Sequence, residues 1–282
     1  MAGKFARSWS LVQASAAVLQ SDKELLVFPL VSMIAVMLVI ATFMVPIIGF
    51  GVYQHVGRDD PMRPVLYLYM FLFYFVQYIV IFFLNTALVG AAMIRLDGGN
   101  PTVADGLRIA RSKLMPIIGY AAIAATVGMI LRALEQRAGF IGRIVIGMLG
   151  VAWTVATFMV VPVLVSSDVG PVEAIKESAS LLKDTWGENL IGNGGIGVVF
   201  GLVTFVVMLI GVGLTMAVLS NGMVPLAVVF GGITVLAVLA LALVQSALAG
   251  IYSAALYRYA TEGQAPAGFD SDALQGAFRV KA

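Results

Sequence analysis

The chain contains no cysteine and one histidine, His55. Without thiols it can form no disulfide, no thiolate metal site and no cysteine nucleophile. One imidazole leaves little material for a metal centre. His55 with the neighbouring Asp59 and Asp60 is a poor ligand set, and a solvated loop is the better reading. Charge is scarce too. Asp, Glu, Lys and Arg make up 11 % of residues, against about 25 % in a soluble domain. The net charge of +2 makes no case for a nucleic-acid partner. No ionisable residue falls well inside an apolar run. Such residues mark proton relays and ion paths, so their lack speaks against a proton-coupled transporter or an intramembrane metalloprotease. No metal or cofactor is expected.

What the chain has instead is apolar length. Hydrophobic residues make up 61 %, and mean hydropathy is +1.00. Six runs are long enough for membrane spans: about 25–52, 65–94, 114–131, 140–165, 190–219 and 224–257. The first follows a positive start, as a secretory signal does. It is too long for a signal core and no A-x-A-like cleavage site closes it, so it reads as a retained span.

Three polar segments each precede a pair of these runs, at about 4–20, 101–113 and 171–186. The last is the clearest. Val172, Ile175, Ala179, Leu182 and Trp186 alternate spacings of three and four, which puts them on one helix face. Pro171 suits the first helical position, Glu173 the first turn, and Gly187 the stop. In the second segment Asn100 is the expected N-cap and Pro101 the first position. In the first, Phe5, Trp9, Val12, Ala16 and Leu19 share a face. These faces lie at the headgroup boundary, with Trp9 and Trp186 as ring anchors, or they dock on protein. Periodicity does not choose.

Aligning Phe5 with Leu107 and Ile175 brings Ser10, Ser112 and Ser180 into register, and Val12, Leu114 and Leu182. A threefold parallel repeat of surface helix plus helical hairpin fits this pattern. A chance match of helical periodicity fits it as well. Alternate assignment of loops places twelve basic residues on one side and five on the other (Arg58, Arg63, Arg132, Arg137 and Arg143). The positive-inside rule then puts both termini and all three surface segments in the cytoplasm. Anionic lipids there would attract Lys4, Arg7, Arg108, Arg111 and Lys113.

Polar residues inside the spans are few. Gln77, Asn85 and Gln245 form structural helix–helix hydrogen bonds or mark a polar spot for a headgroup or solute. Gly197 and Gly201 permit close helix approach, within the chain or in a dimer seam. Arg132, Glu135, Arg137 and Arg143 read as a snorkelling helix end, with phosphate binding as the sharper option. Ser8, Ser10, Ser112, Ser178 and Ser180 have no base arranged for nucleophilic catalysis.

The stretches FARSWSLVQASAAVLQSDKELLVFPL and GPVEAIKESASLLKDTWGENLIGN resemble an uncharacterised prokaryotic six-helix membrane family of unknown function. Ser-Trp, Asp-Lys-Glu-Leu, Phe-Pro and Thr-Trp-Gly-Glu-Asn are its specific pieces. More loosely, the layout is similar to the membrane domain attached to some glycerophosphodiester phosphodiesterases. The chain lacks their catalytic domain, so that activity is not implied.

The expectation is an all-α polytopic membrane protein, one domain over 1–260 with a cytoplasmic tail at 261–282. Its six transmembrane helices form three hairpins, each preceded by a cytoplasmic amphipathic surface helix. A bacterial-type inner membrane, lipid partners, no nucleic acid and an open option of homo-oligomer complete it. The leading function is non-enzymatic: organising or sensing the cytoplasmic leaflet, or serving as a membrane scaffold. The alternative is a channel or facilitator for a small or amphipathic solute, with a polar path near Asn85 and Gln245.

Overall fold

The structure, a computed structural model, describes the backbone of residues 4–49, 63–186, 195–266, 268, 269 and 274. Side chains are described from residue 10 onward within these ranges, except at 63, 64, 183–186, 195, 196 and 198. The loop of His55, Asp59 and Asp60, and Gly187, lie outside the described residues. So do the side chains of Lys4, Arg7, Trp9 and Trp186.

Regular structure among the described residues is helical. Helix α1 (Lys4–Ser21) leads through a 3₁₀ turn (Lys23–Leu26) into α2 (Val27–Gly49). Then come α3 (Arg63–Leu96), α4 (Val103–Ser112), α5 (Leu114–Arg137), α6 (Phe140–Ala156) and α7 (Val160–Ser166). Helices α8 (Pro171–Trp186), α9 (Gly195–Ser220) and α10 (Val224–Glu262) follow. Six stretches are long and apolar enough to cross a membrane: Lys23–Gly49, Val65–Leu96, Leu114–Arg137, Phe140–Ser166, Val199–Ser220 and Val224–Glu262. The fourth is two helices, α6 and α7.

Two spans are much longer than a bilayer requires. At 1.5 Å per residue α3 reaches roughly 51 Å and α10 roughly 58 Å, against a hydrocarbon core of about 30 Å. The sequence reading ended the sixth span near 257. It continues to Glu262, where Gly263 at φ 70° forms a left-handed cap. The far ends of α3 and α10 are joined: the Arg258 guanidinium pairs with Asp97 and with Glu262. Deeper in, a Cβ on Gly250 would lie 2.5 Å from Leu88 Cδ2. Glycine is what lets these two helices approach.

Helix α7 packs against both α3 and α10. Around this junction lies the buried cluster that includes Leu25, Phe28, Leu88, Leu96, Met159, Ile251 and Leu256. Away from it the spans turn apolar side chains outward, with Phe140 82 % and Val228 70 % exposed. The protein is packed at one end and open at the other. That suits a bilayer, which covers apolar side chains that water would not tolerate.

Helices α1, α4 and α8 surround the packed end. Helix α4 leans on α3, and α8 on α6 and α7. Helix α1 leans on α9 and α10. Helices α4 and α8 each rest on the span before them in sequence, and α1 rests on the last pair. In the register that aligns Leu107 with Ile175, the buried positions also coincide: Gly106 matches Ala174 and Ala110 matches Ser178.

The close approach in the fifth span is not where glycine density suggested. A Cβ at Gly197 or Gly201 would meet nothing within 4 Å. A Cβ at Gly211 would overlap Thr234 of α10.

Candidate functional site

Helix α4 is tied down at its start by a capping box centred on Thr102, not Asn100; Pro101 precedes the helix. The Asp105 N–H donates to Thr102 Oγ1 at 3.2 Å, and the Thr102 N–H donates to Asp105 Oδ2 at 3.0 Å. The Val103 N–H donates to Glu24 Oε2 at 3.1 Å, which links α4 to the turn before the first span. Glycine seats the helix. A Cβ on Gly106 would lie 2.5 Å from Phe28 Cζ and 2.6 Å from the Ala87 carbonyl oxygen. With Gly106 and Ala110 facing inward, Leu107, Arg108 and Arg111 are left exposed. The Arg108 side chain is 78 % exposed and pairs with Asp105 at 3.2 Å.

Lys113 does something else. Its ammonium is mostly covered and donates to the Ser167 carbonyl at 2.9 Å, with Asp168 at 3.4 Å. It caps the end of α7 and is spoken for by protein. The expected headgroup contacts therefore reduce, among described side chains, to Arg108 and Arg111.

Asp105 carries a pH consequence. The Thr102 hydroxyl first, then the Thr102 backbone N–H, hold its carboxyl below the ordinary value, and Arg108 adds to this. A folded-state pKa below the unfolded value of about 3.9 gives stability that is present above that pH and lost as pH falls through the folded value. Thr102→Ala should therefore lower the melting temperature at pH 6. The gap from the unmodified protein should narrow on acidification below about pH 4. A thermal melt series over pH checks both points.

Helix α8 holds the break in the fourth span. Pro162 has no N–H and its ring crowds the carbonyl four residues back, at Phe158. The span opens at residues 157–159. Ser178 closes it chemically: its hydroxyl donates to the Ala156 carbonyl at 2.7 Å and accepts from the Met159 N–H at 3.0 Å. Ser178 is fully buried. In the sequence it passes as filler on an amphipathic face. Two other buried polar atoms, Ser15 Oγ and Asp22 Oδ2, have no hydrogen-bond partner among the described residues.

Beside this break is a cavity of about 220 Å³, between the first, second and sixth spans, with Phe158 of the fourth on its wall. Its polar lining is Ser32, Asn85, Ser246 and Ser253. Asn85 was singled out by sequence; the three serines were not. Gln245 adjoins Ser246 in sequence but does not line the cavity, and neither does Gln77.

A helical protein with six spans of this length and hydropathy is a multi-pass membrane protein. Residues 64–269 match the model of DUF6159, a family of unknown function, and the chain belongs to that family. No curated protein and no solved structure matches it. The looser likeness to glycerophosphodiester phosphodiesterase membrane domains finds no support.

Proposed function

We propose that the protein is a non-catalytic membrane protein that binds and orders lipid in the leaflet facing its termini. The observation that carries this is the seating of α4. Its small residues face protein, and Leu107, Arg108 and Arg111 are presented outward beside the ends of the spans. An apolar residue with two guanidiniums on one exposed helix surface suits a headgroup boundary. Helices α1 and α8 sit at the same end, so the proposed plan is three hairpins, each led by a surface helix. The excess of basic residues on that side supports reading it as the cytoplasmic face, and the proposed location is a bacterial-type inner membrane.

The test is native mass spectrometry from nanodiscs containing mixed anionic and zwitterionic lipid. A basic residue near an anionic surface contributes about 1 kcal/mol. Arg108→Ala with Arg111→Ala should thus cut retained anionic lipid roughly thirtyfold relative to zwitterionic lipid. Unchanged retention would sink the reading. A solute path along Asn85 and Gln245 has less behind it. The two residues do not share a cavity.

A further inference from the structure

We infer that the cavity at Asn85 is an intramembrane binding site for an uncharged amphiphile, one with a hydroxyl or carbonyl group next to an apolar body. The site lies at membrane depth. Asn85 is roughly 16 Å along α3 from Leu96, and Ser246 roughly 24 Å along α10 from Glu262. Three of its four polar side chains lack a partner among the described residues. Asn85, Ser32 and Ser246 make no side-chain hydrogen bond among the described residues, whereas Ser253 donates to the Gly250 carbonyl at 2.9 Å. Most helical serines and threonines here bond back to their own helix, as Thr86 does to Phe82 at 2.7 Å. Unpaired amides and hydroxyls in a water-poor site are costly. A ligand that supplies both a donor and an acceptor removes that cost.

The class of ligand follows from the walls. No lining residue is charged. A phosphate would have to shed its hydration with no cation to receive it, so anionic headgroups are rejected. Ser246 is exposed near the middle of its span, so the cavity opens sideways, toward acyl chains. At about 220 Å³ it is smaller than the 300–1,000 Å³ typical of pockets that enclose a whole ligand. It takes the polar end of the molecule and leaves the apolar body in the bilayer. Diacylglycerol is the simplest probe of this class. The site shares no residue with α4 and does not depend on the leaflet reading above.

The experiment uses the full chain in nanodiscs with two photoreactive lipids, a diacylglycerol and a phosphatidic acid carrying the same diazirine chain. Peptides containing Asn85 and Ser246 should be labelled by the diacylglycerol and spared by phosphatidic acid. Asn85→Leu should reduce that labelling about fivefold to tenfold, as for loss of one or two neutral hydrogen bonds. Its melting temperature should hold or rise, since Asn85 has no protein partner to lose. Ser246→Leu, at the mouth, should reduce labelling comparably. Arg108→Ala should leave it unchanged. Equal labelling by both lipids, labelling insensitive to Asn85→Leu, or no labelling at all (water alone in the cavity) overturns the proposal. A lowered melting temperature in Asn85→Leu overturns it too, because the amide would then be structural.

Discussion

Replacing Gly106 by alanine should destabilise the protein by about 1–3 kcal/mol, the range for overpacking a well-packed contact. Replacing it by leucine should detach α4 altogether. Alanine is the better helix former by about 1 kcal/mol, so intrinsic propensity points the other way and contact geometry decides. The new Cβ would lie 2.6 Å from the Ala87 carbonyl oxygen and 2.5 Å from Phe28 Cζ. The first is backbone and cannot step aside. The second belongs to a ring that is 2 % exposed. Lifting α4 would also strip the Val103–Glu24 hydrogen bond and the contact of Ile109 with Gly90, where a Cβ would lie 2.9 Å from Ile109 Cγ2. Gly201→Ala is the matched control. It has open space around it and should be neutral or gain up to about 1 kcal/mol from propensity. Denaturant titration in detergent compares the three variants. A Gly106→Ala protein as stable as the unmodified chain would show that α4 is not seated as described.

The six spans were legible because a bilayer leaves a helix few alternatives, and run length alone exposes it. The ends were less so. The stem of α10 runs on past its apolar stretch because Arg258 and Tyr257 are packed against protein there, which hydropathy does not record. Periodicity located α8 but set its buried face about one residue off. Ala174, Ser178 and Leu182 are buried, whereas Val172 is 46 % exposed. Close packing of the helix against protein selects small residues such as Ala174 and Ser178 instead of large ones. The same logic hid Gly106 and favoured Gly197 and Gly201. What makes a glycine matter is the atom opposite, and that atom comes from another part of the chain. Asn85 stood out because an amide in an apolar run is conspicuous. Ser32, Ser246 and Ser253 did not, since serine in a helix needs no explanation until the structure shows what its hydroxyl faces.

Ser178→Ala should cost roughly 2–4 kcal/mol, since an unpaired buried polar group costs about 1–3 kcal/mol and the variant leaves two. The Ala156 carbonyl and the Met159 N–H lose their shared partner. The span cannot heal by closing into one regular helix, because Pro162 supplies no N–H and crowds the Phe158 carbonyl. Neither can water readily take the hydroxyl's place. Met159 and Ser178 are fully buried. The effect should be local as well as global. Hydrogen exchange at the Met159 amide should quicken by roughly tenfold or more, in line with the free energy lost. Amides early in α3 should change far less. A loss below about 0.5 kcal/mol, the size of an ordinary surface substitution, would mean that the break is satisfied some other way. If the loss is as large as expected, α8 is a working part of the fourth span. The break it holds includes Phe158, which forms a wall of the Asn85 cavity.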